Sequence, residues 1–277
     1  MRRRSRMTRG TTVVIVPMLA VQTALGVGCA RAEVTPVASG PVAIDFNGPA
    51  GSPPDPGLWT IDAGPSAEHG WERGSLQTYT NSPENVRLDG SGNLVLEARR
   101  SGAEAGGAYT SGRIVTRGNL AFGFGTIVAR IKFPSGHGIW PAFWLLGSSI
   151  DDVGWPWCGE IDVMELIGDA AKYHVALHAP NADINRTGPI ADLSGGFHNY
   201  WVTRKPGSIT IGVDQQALAW FDPASLPRDS QWVFDGPVFL LLNVAVGGDW
   251  PGPPDTSTPF PAAMTVDWIS FRPSDEG

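Results

Sequence analysis

Cysteine is almost absent from this sequence, which has only Cys29 and Cys158 among its 277 residues. Two cysteines cannot form a disulfide framework or a four-cysteine zinc site. The sequence also lacks a glycine-rich phosphate loop ending in Lys-Ser or Lys-Thr, and it lacks a Gly-x-Ser-x-Gly nucleophile elbow. No apolar stretch after residue 32 has the length of a membrane span. These absences argue against nucleotide-dependent enzymes of the P-loop type, hydrolases built on that elbow, and a membrane-spanning segment.

The first 32 residues have the pattern of a signal peptide. Five arginines precede an apolar run over residues 13–27, and Ala30-Arg31-Ala32 has the small-x-small pattern of a cleavage site. We therefore expect residues 1–32 to be removed from a secreted protein. Lipid attachment at Cys29 is the alternative, because small residues precede it. The residue three positions before Cys29 is not aliphatic, which favours plain secretion.

Basic side chains become scarce once that segment is set aside. Residues 1–32 contain six arginines and no acids, so residues 33–277 keep 14 basic and 27 acidic side chains and a formal charge of −13. Nucleic-acid binding requires a basic surface. Nucleic acid is therefore a poor candidate partner, whereas a neutral glycan is compatible with an acidic protein.

Glycine and proline are abundant, at 35 and 24 residues, and they separate short runs with the alternation of strands. We predict strands at 93–98, 113–116, 126–133, 173–178, 200–203, 208–213, 238–244 and 264–271. No long amphipathic helix is evident. The fold class is therefore all-β, a β-sandwich with an open groove on one curved face. Residues 33–41 are expected to be a flexible lead-in, and residues 42–277 one domain.

The acidic segment that begins at Glu160 reads Glu-Ile-Asp-Val-Met-Glu. In a regular strand Glu160 and Asp162 share one face, and Glu165 points the other way, into the core. An unpaired carboxylate there is costly. One extra residue at Val163-Met164, a β-bulge, returns Glu165 to the face of the other two. We therefore predict three carboxylates on one face of one strand.

Three carboxylates on one face repel each other but suit glycoside chemistry. A retaining glycosidase needs two carboxyl groups roughly 5–5.5 Å apart, and we expect Glu160 and Glu165 to supply them. Asp162, between them, can orient Glu160 and help keep a proton on Glu165. The alternative is a solvated acidic edge strand. Nearby aromatic side chains, suited to stacking on sugar rings or to core packing, favour the glycan interpretation: Trp140, Trp144, Trp155 and Trp157.

A family resemblance rests on several motifs. They are Gly-Ile-Trp-Pro-Ala-Phe-Trp-Leu-Leu at 138–146, Gly-Trp-Pro at 154–156, the acidic segment at 158–165, and the stretches 109–116 and 235–252. They resemble glycoside hydrolase family 16, and within it the laminarinase-like endo-1,3-β-glucanases. The resemblance covers nearly all of residues 42–272. It implies a jelly-roll β-sandwich whose site crosses the concave face, with Glu160 as nucleophile and Glu165 as acid/base.

The resemblance also implies roles for residues outside the acidic segment. His178 resembles a histidine near the acid/base that tunes Glu165 or binds a sugar; the alternative is a surface imidazole. Arg113 resembles an arginine that hydrogen-bonds sugar oxygens; the alternative is a surface salt bridge. Asn243 is expected on an inner strand, as a sugar contact or a satisfied polar group. Trp250 is expected at the groove rim.

Metal chemistry is not expected to take part in catalysis. His174 and His178 are four residues apart but lie in a strand-like run with no evident third zinc ligand. Asp45 and Asp267 match positions that hold a structural calcium in many relatives, and oxygen ligands suit that ion. The alternative is two ordinary surface acids.

One segment departs from the family pattern. Laminarinases of the family usually carry Asn-Asn-Glu-Leu-Gln where this chain has Arg-Gly-Ser-Leu-Gln at 73–77. The missing side chains affect which glycan is bound more than whether it is cleaved. We expect a monomeric, secreted, retaining endo-hydrolase of β-1,3-glucan. The alternatives are a member with altered specificity, for mixed-linkage glucan or transglycosylation, and a non-catalytic glucan-binding module.

Overall fold

The computed structural model describes residues 35–65, 74–101 and 109–274. The predicted signal peptide and Cys29 lie outside these ranges. Part of the expected flexible lead-in is ordered, because Val37 forms a parallel bridge with Ala121. The amide of Ala38 donates to the Ala121 carbonyl at 2.8 Å, and the Ala121 amide donates to Pro36 at 2.9 Å. Among the described residues, no helix is both long enough and apolar enough to cross a membrane.

The larger of two sheets has eleven strands among the described residues. They are β1 (Val42–Asp45), β3 (Gly64–Pro65), β4 (Gln77–Tyr79), β5 (Val86–Leu88), β6 (Leu94–Arg100), β7 (Tyr109–Ser111), β9 (Gly125–Lys132), β14 (His198–Lys205), β15 (Ser208–Val213), β16 (Gln216–Phe221) and β18 (Ala262–Pro273). The order is β16-β15-β14-β9-β18-β6-β7-β4-β3, with β1 against β18 and β5 against β6.

The second sheet has seven strands among the described residues and carries the acidic segment. They are β2 (Thr60–Ile61), β8 (Arg113–Val115), β10 (Ile139–Gly147), β11 (Glu160–Glu165), β12 (Lys172–Ala179), β13 (Ala182–Pro189) and β17 (Val238–Val246). The order is β13-β12-β11-β10-β17-β8-β2. Within the described residues, helix is limited to α1 (Ile150–Val153) and a 3-10 turn (Pro223–Ser225). The architecture is a jelly-roll β-sandwich, as predicted.

The core lies between the two sheets. Strand β9 shows why the alternating pattern predicted it: Ile127, Ala129, Ile131 and Phe133 are at most 1% exposed, while Arg130 faces outward. Burying an aliphatic or aromatic side chain of this size stabilises the fold by about 1.5–3 kcal/mol. All eight strands predicted from the sequence are present.

Strand β10 was not predicted, although it positions two of the candidate tryptophans. Its residues from Pro141 to Gly147 are all buried, so it lacks the alternation of a half-exposed strand. Pro141 also argues against a central strand, because proline has no amide to donate. Pro141 lies just beyond the paired residues of β10 and β11, which begin at Ala142 and Glu165, and its carbonyl still accepts from the Leu166 amide.

Candidate active site

The acidic segment forms β11, inside the seven-stranded sheet, and it contains the predicted bulge. Phe143 of β10 pairs with Met164 and Trp144 pairs with Asp162, so Val163 is an extra residue. The same shift occurs against β12. Val163 and Met164 are both fully buried in the core between the sheets. Because two successive side chains point inward, the next one turns outward.

The three carboxylates consequently share one cavity system. A cavity of about 570 Å³ is lined by Trp140, Trp155, Glu160, Glu165, His174, His178, Asp183, Asn185, Thr187 and Trp250. We call this cavity the groove. A smaller pocket of about 40 Å³ is also bounded by Glu160 and Glu165 and adds Ala142, Trp144, Asp162 and Asn243. The sequence-predicted acids and five of the six predicted sugar contacts therefore line one continuous site, in which Trp144 and Asn243 form the deeper wall.

Glu165 directly follows the bulge, and its carboxyl group is hydrogen-bonded to Trp140. The Trp140 indole Nε1 donates to Glu165 Oε1 at 2.8 Å. Burial, followed by the negative charge of Asp162, holds the pKa of Glu165 well above its usual range, and the indole only partly opposes this. Burial and the charge of Asp162 therefore favour the protonated form of Glu165.

Glu160 has a different set of partners. The Trp155 indole Nε1 donates to Glu160 Oε2 at 2.7 Å, and His178 Nε2 lies 3.8 Å from Glu160 Oε1. Burial and the charge of Asp162 raise the pKa of Glu160 to about 8, while His178 and the indole lower it. Of the two glutamates, Glu160 has the imidazole closer, so the carboxylate form is favoured more at Glu160 than at Glu165.

His178 bridges two aspartates rather than contacting Glu165. Its Nε2 lies 3.0 Å from Asp162 Oδ2, and its Nδ1 lies 3.2 Å from Asp183 Oδ1. Burial lowers the pKa of His178, but the hydrogen bond and charge of Asp162, with Glu160 and Asp183, outweigh it and raise the pKa to about 10. The ring is therefore an imidazolium at neutral pH, and its closest carboxylate is Asp162.

Beneath the groove, a chain of hydrogen bonds ties three strands together. Trp144 Nε1 donates to Asn243 Oδ1 at 2.8 Å, and Asn243 Nδ2 donates to the Tyr79 hydroxyl at 2.9 Å. Trp144 and Asn243 are both nearly buried. They shape the floor of the site, and Tyr79 was not anticipated from the sequence. Tyr79 follows the segment 73–77, and a single tyrosine there does not reveal its partners on β10 and β17.

Arg113 lies under this floor instead of on its surface. Its side chain has no exposed area and pairs with Asp62 at 2.8 Å, and its guanidinium carbon lies 4.5 Å from the centroid of the Tyr79 ring. The expected direct contact with sugar oxygens is therefore not available to Arg113. Arg113 instead makes a cation–π contact with the Tyr79 ring, which positions that ring under the floor of the site.

Trp250 stands at the rim, as predicted, and is 44% exposed. Its ring packs edge-on against Trp140 at 5.4 Å and against His174 at 5.0 Å. Burial, then the charge of Lys172, lowers the pKa of His174 to about 4, so this second histidine is neutral. Together these rings form an aromatic corner at one end of the groove.

The segment that departs from the family pattern borders this rim. Arg73 lies outside the described residues. Ser75 bridges to Gly247, and the Leu76 amide donates to the Val246 carbonyl at 2.8 Å. Leu76 is 42% exposed, so an apolar side chain stands beside the loop that carries Trp250.

Strand β13 supplies polar groups that the sequence analysis missed. Asp183, Asn185 and Thr187 alternate along it and line the groove, while Ala182 and Ile184 are buried on the other face. This alternation of polar and apolar residues was the available signal. It was obscured because arginine, glycine and proline follow within the same strand.

The two aspartates expected to bind calcium lie on β1 and β18. Asp45 pairs with Trp268, which places it beside Asp267. Asp267 is the extra residue of a bulge against β9, and Arg130 Nε donates to its Oδ2 at 3.0 Å. A carboxylate already paired with a guanidinium is a poor calcium ligand, so these residues do not fit the ion well.

The Arg130–Asp267 pair predicts how the melting temperature responds to a chelator. We expect chelator to leave the melting temperature unchanged, because Asp267 is paired with Arg130 and the native state would then gain no stability from calcium. Differential scanning calorimetry with and without chelator checks this. A lower melting temperature that excess calcium restores would contradict it and return Asp45 and Asp267 to the role of ligands.

Cys158 is a buried neighbour of the site, not a nucleophile. It is 3% exposed and packs in a small cluster with Trp144 and Leu146. Burial and the charge of Glu160 raise the pKa of its thiol to about 11. A thiol in that state is inert at neutral pH.

Comparison with known proteins agrees with this site. The profile of the glycosyl hydrolases family 16 matches residues 74–270. A β-glucanase of Rhodothermus marinus is 36% identical over 233 residues, covering 78% of this chain and 79% of that protein. Two further curated relatives are longer, and the chain spans 46% and 36% of them.

Solved structures share the fold as well as the sequence. The laminarinase catalytic domain of Thermotoga maritima MSB8 superposes with a TM-score of 0.77 at 37% identity, covering 84% of this chain and 97% of that one. The endo-β-1,3-glucanase of Pyrococcus furiosus gives a TM-score of 0.76, also at 37% identity, covering 83% and 93%.

Proposed function

Because this chain belongs to the glycosyl hydrolases family 16, we propose that it cleaves β-1,3-glucan internally and with retention of configuration. The observation that carries the proposal is the bulged strand β11. It turns Glu160, Asp162 and Glu165 to the same cavity and gives the two glutamates different partners. A non-catalytic glucan-binding module has no use for two carboxyl groups held in this way.

The reaction proceeds in two displacements. Glu165 donates its proton to the glycosidic oxygen as the bond to the anomeric carbon breaks, and a Glu160 oxygen forms a bond to that carbon. Glu165, now ionised, takes a proton from water. The water oxygen attacks the anomeric carbon, the ester bond to Glu160 breaks, and both glutamates return to their starting states.

Asp162 and His178 set the protonation that these steps require. Asp162 contributes negative charge to both glutamates, which keeps the proton on Glu165. The His178 imidazolium offsets that charge at Glu160, the nearer glutamate. The charged pair therefore separates the two glutamates into an acid and a nucleophile.

The glucan substrate is supported by the lining of the groove and by the named relatives. Trp250 and Trp140 present ring faces and edges to the cavity, and the C–H faces of sugar rings stack well on such surfaces. Asp183, Asn185 and Thr187 offer hydrogen-bonding groups on the opposite side. A β-glucanase and a laminarinase are among the similar proteins.

A second candidate is a member with altered linkage preference or transglycosylation activity. Gly74 and Ser75 stand beside the rim where family members usually carry asparagine and glutamate. Loss of polar recognition groups changes discrimination between similar substrates. We therefore expect a broader choice of β-glucans than a strict laminarinase has.

A panel of soluble glycans tests the proposed function. Purified protein should degrade β-1,3-glucan to a series of short oligosaccharides, with an early fall in viscosity and initial release of the β-anomer by NMR. Release of monosaccharide only, or first release of the α-anomer, would contradict internal cleavage or retention respectively. Cleavage of mixed-linkage glucan, or longer products at high oligosaccharide concentration, would favour the second candidate.

The His178 charge predicts a shifted pH profile. In His178→Asn the positive charge that lowers the pKa of Glu160 is gone, so this pKa rises further above its usual range. The acidic limb of kcat/KM should therefore move to higher pH, with a loss of about tenfold at low pH for each pKa unit.

The control for this experiment is His198→Asn. His198 also pairs with an aspartate, since its Nδ1 lies 2.7 Å from Asp214 Oδ2, but it lies outside the groove. Its kcat/KM profile should match the wild type. A His178→Asn profile that merely scales down, with its limbs unmoved, would show that the imidazolium does not tune Glu160.

The proposal also covers the location and the oligomeric state of the enzyme. We propose that it is secreted after removal of residues 1–32 and acts as a monomer. The reaction described needs only carboxyl groups, an imidazolium and water, so catalysis requires no cofactor.

A further inference from the structure

The outward face of the eleven-stranded sheet carries an aligned row of polar and aromatic side chains. Register places Arg272 of β18 opposite Thr126 of β9, Thr126 opposite Thr203 of β14, Thr203 opposite Thr210 of β15, and Thr210 opposite Trp220 of β16. We call these five residues the outer ladder. The Thr126 and Thr203 hydroxyls lie 2.9 Å apart, which confirms that they face the same side.

The ladder faces solvent, because its neighbours along each strand face the core. Ile127, Val202, Ile209 and Phe221 are at most 1% exposed. Trp220, in contrast, is 59% exposed and is the most exposed large apolar residue in the described part of the chain. One exposed tryptophan needs no explanation, but this one ends a row that includes three threonines on adjacent strands.

A second aromatic ring lies in the next row. Trp201 pairs with Val128 on one side and Gly212 on the other. A Cβ at Gly212 would lie 2.1 Å from the Trp201 ring, so the ring lies across the glycine backbone. Its Nε1 donates to the Asp214 carbonyl at 3.1 Å. This arrangement fixes the ring against the sheet, partly exposed, beside the ladder.

The face is indented where β9, β14 and β18 meet. A cavity of about 580 Å³, similar in size to the groove, is lined by Gly125, Thr126, Val128, Thr203, Lys205, Ser270, Arg272, Pro273 and Ser274. Four of these nine residues carry a hydroxyl group, Lys205 and Arg272 are cationic, and no carboxylate contributes to the lining. It is therefore suited to a ligand rich in hydroxyl groups and not to a cation.

The geometry points to a second glucan-binding surface along the outer ladder, remote from the groove. A polysaccharide chain crossing the strands would place its hydroxyl groups on Thr126, Thr203, Thr210 and Arg272 and a sugar face on Trp220. Strands lie about 4.8 Å apart, so the row extends for roughly 19 Å, enough for more than one sugar. The choice of a glucan as ligand rests on the proposed function.

A surface of this kind would increase binding to polymeric glucan and would leave the rate of bond cleavage in the groove unchanged. It holds the enzyme against insoluble glucan while the groove acts on a chain, so its effect is on local substrate concentration. Soluble oligosaccharides should be hydrolysed equally well with or without it. This difference separates the ladder from the groove experimentally.

The test compares Trp220→Ala with Trp220→Phe. Adsorption to insoluble β-1,3-glucan particles is measured by depletion in the cold, alongside kcat/KM on a soluble β-1,3-oligosaccharide. Trp220→Ala should weaken adsorption about three- to tenfold, whereas Trp220→Phe, which keeps an aromatic face, should stay close to wild type. Thr210→Val, which preserves side-chain shape, should also weaken adsorption. All three should keep wild-type kcat/KM.

The outcomes separate this inference from the proposed function. Wild-type adsorption by both Trp220→Ala and Thr210→Val, with normal oligosaccharide cleavage, would overturn the ladder and leave the function standing. Adsorption that survives Trp220→Ala but falls in Arg272→Ala would place glucan binding at the cavity beside Arg272 and not along the ladder to Trp220, which would also overturn the inference. Absence of oligosaccharide cleavage by wild type would instead contradict the proposed function.

Discussion

Glu160→Ala should lose kcat on soluble β-1,3-glucan by roughly four orders of magnitude or more. The change removes the carboxylate that bonds to the anomeric carbon, while Trp155 and His178 lose only one partner each. The fold should persist, because Glu160 faces the groove and not the core. Circular dichroism and the melting curve check the fold, and reducing-sugar release checks the activity.

Azide should restore part of the activity of Glu160→Ala. A small anion fits the space left by the carboxylate and attacks the anomeric carbon directly, so the product is a glycosyl azide of inverted configuration. Glu84→Ala is a matched control, because Glu84 is exposed and outside the groove. Near-normal turnover by Glu160→Ala without azide would show that another group is the nucleophile.

The second large effect concerns the bulge in β11. Deletion of Met164 leaves one residue, Val163, between Asp162 and Glu165, so Glu160, Asp162 and Glu165 fall on one face of a regular strand. We expect this variant to fold and to keep measurable activity, reduced about a hundredfold because a 1 Å misplacement is that costly. Loss of one fully buried methionine also lowers the free energy of unfolding by about 2–5 kcal/mol.

Insertion of an alanine after Met164 should be far worse. If pairing with β10 and β12 resumes one residue out of phase, Glu165 turns into the core and Leu166 turns into the groove. Activity should fall below detection, and the free energy of unfolding should drop by more than in the deletion. Chemical denaturation and soluble-glucan assays compare the two. Equal activity and stability would show that strand parity does not govern this site.

The bulge could be predicted from the sequence because it follows from parity and electrostatics alone. A regular strand would have buried Glu165 among apolar residues, and only one extra residue avoids that cost. The same reasoning could not place Arg113. An arginine between apolar neighbours is compatible with either face, and its burial depends on Asp62 and Tyr79, which come from other strands.

Contacts between side chains of different strands also could not be predicted from the sequence. The position of His178 opposite Glu160 comes from the register of β11 and β12, and its contact with Asp183 comes from β13. Neither register is visible in composition or spacing. Strand β10 was missed for a local reason, because a fully buried strand has no alternation and its proline argued against it.

The strand that forms one wall of the groove is also the edge of its sheet. Strand β13 is the terminal strand of the seven-stranded order, and an open edge offers unpaired backbone groups to a strand of another chain. Asp183, Arg186 and Pro189 obstruct such pairing through charge and a missing amide. Substitutions that make this wall more apolar to redirect glycan choice would therefore also promote self-association, so yield of soluble protein limits how far its specificity can be changed there.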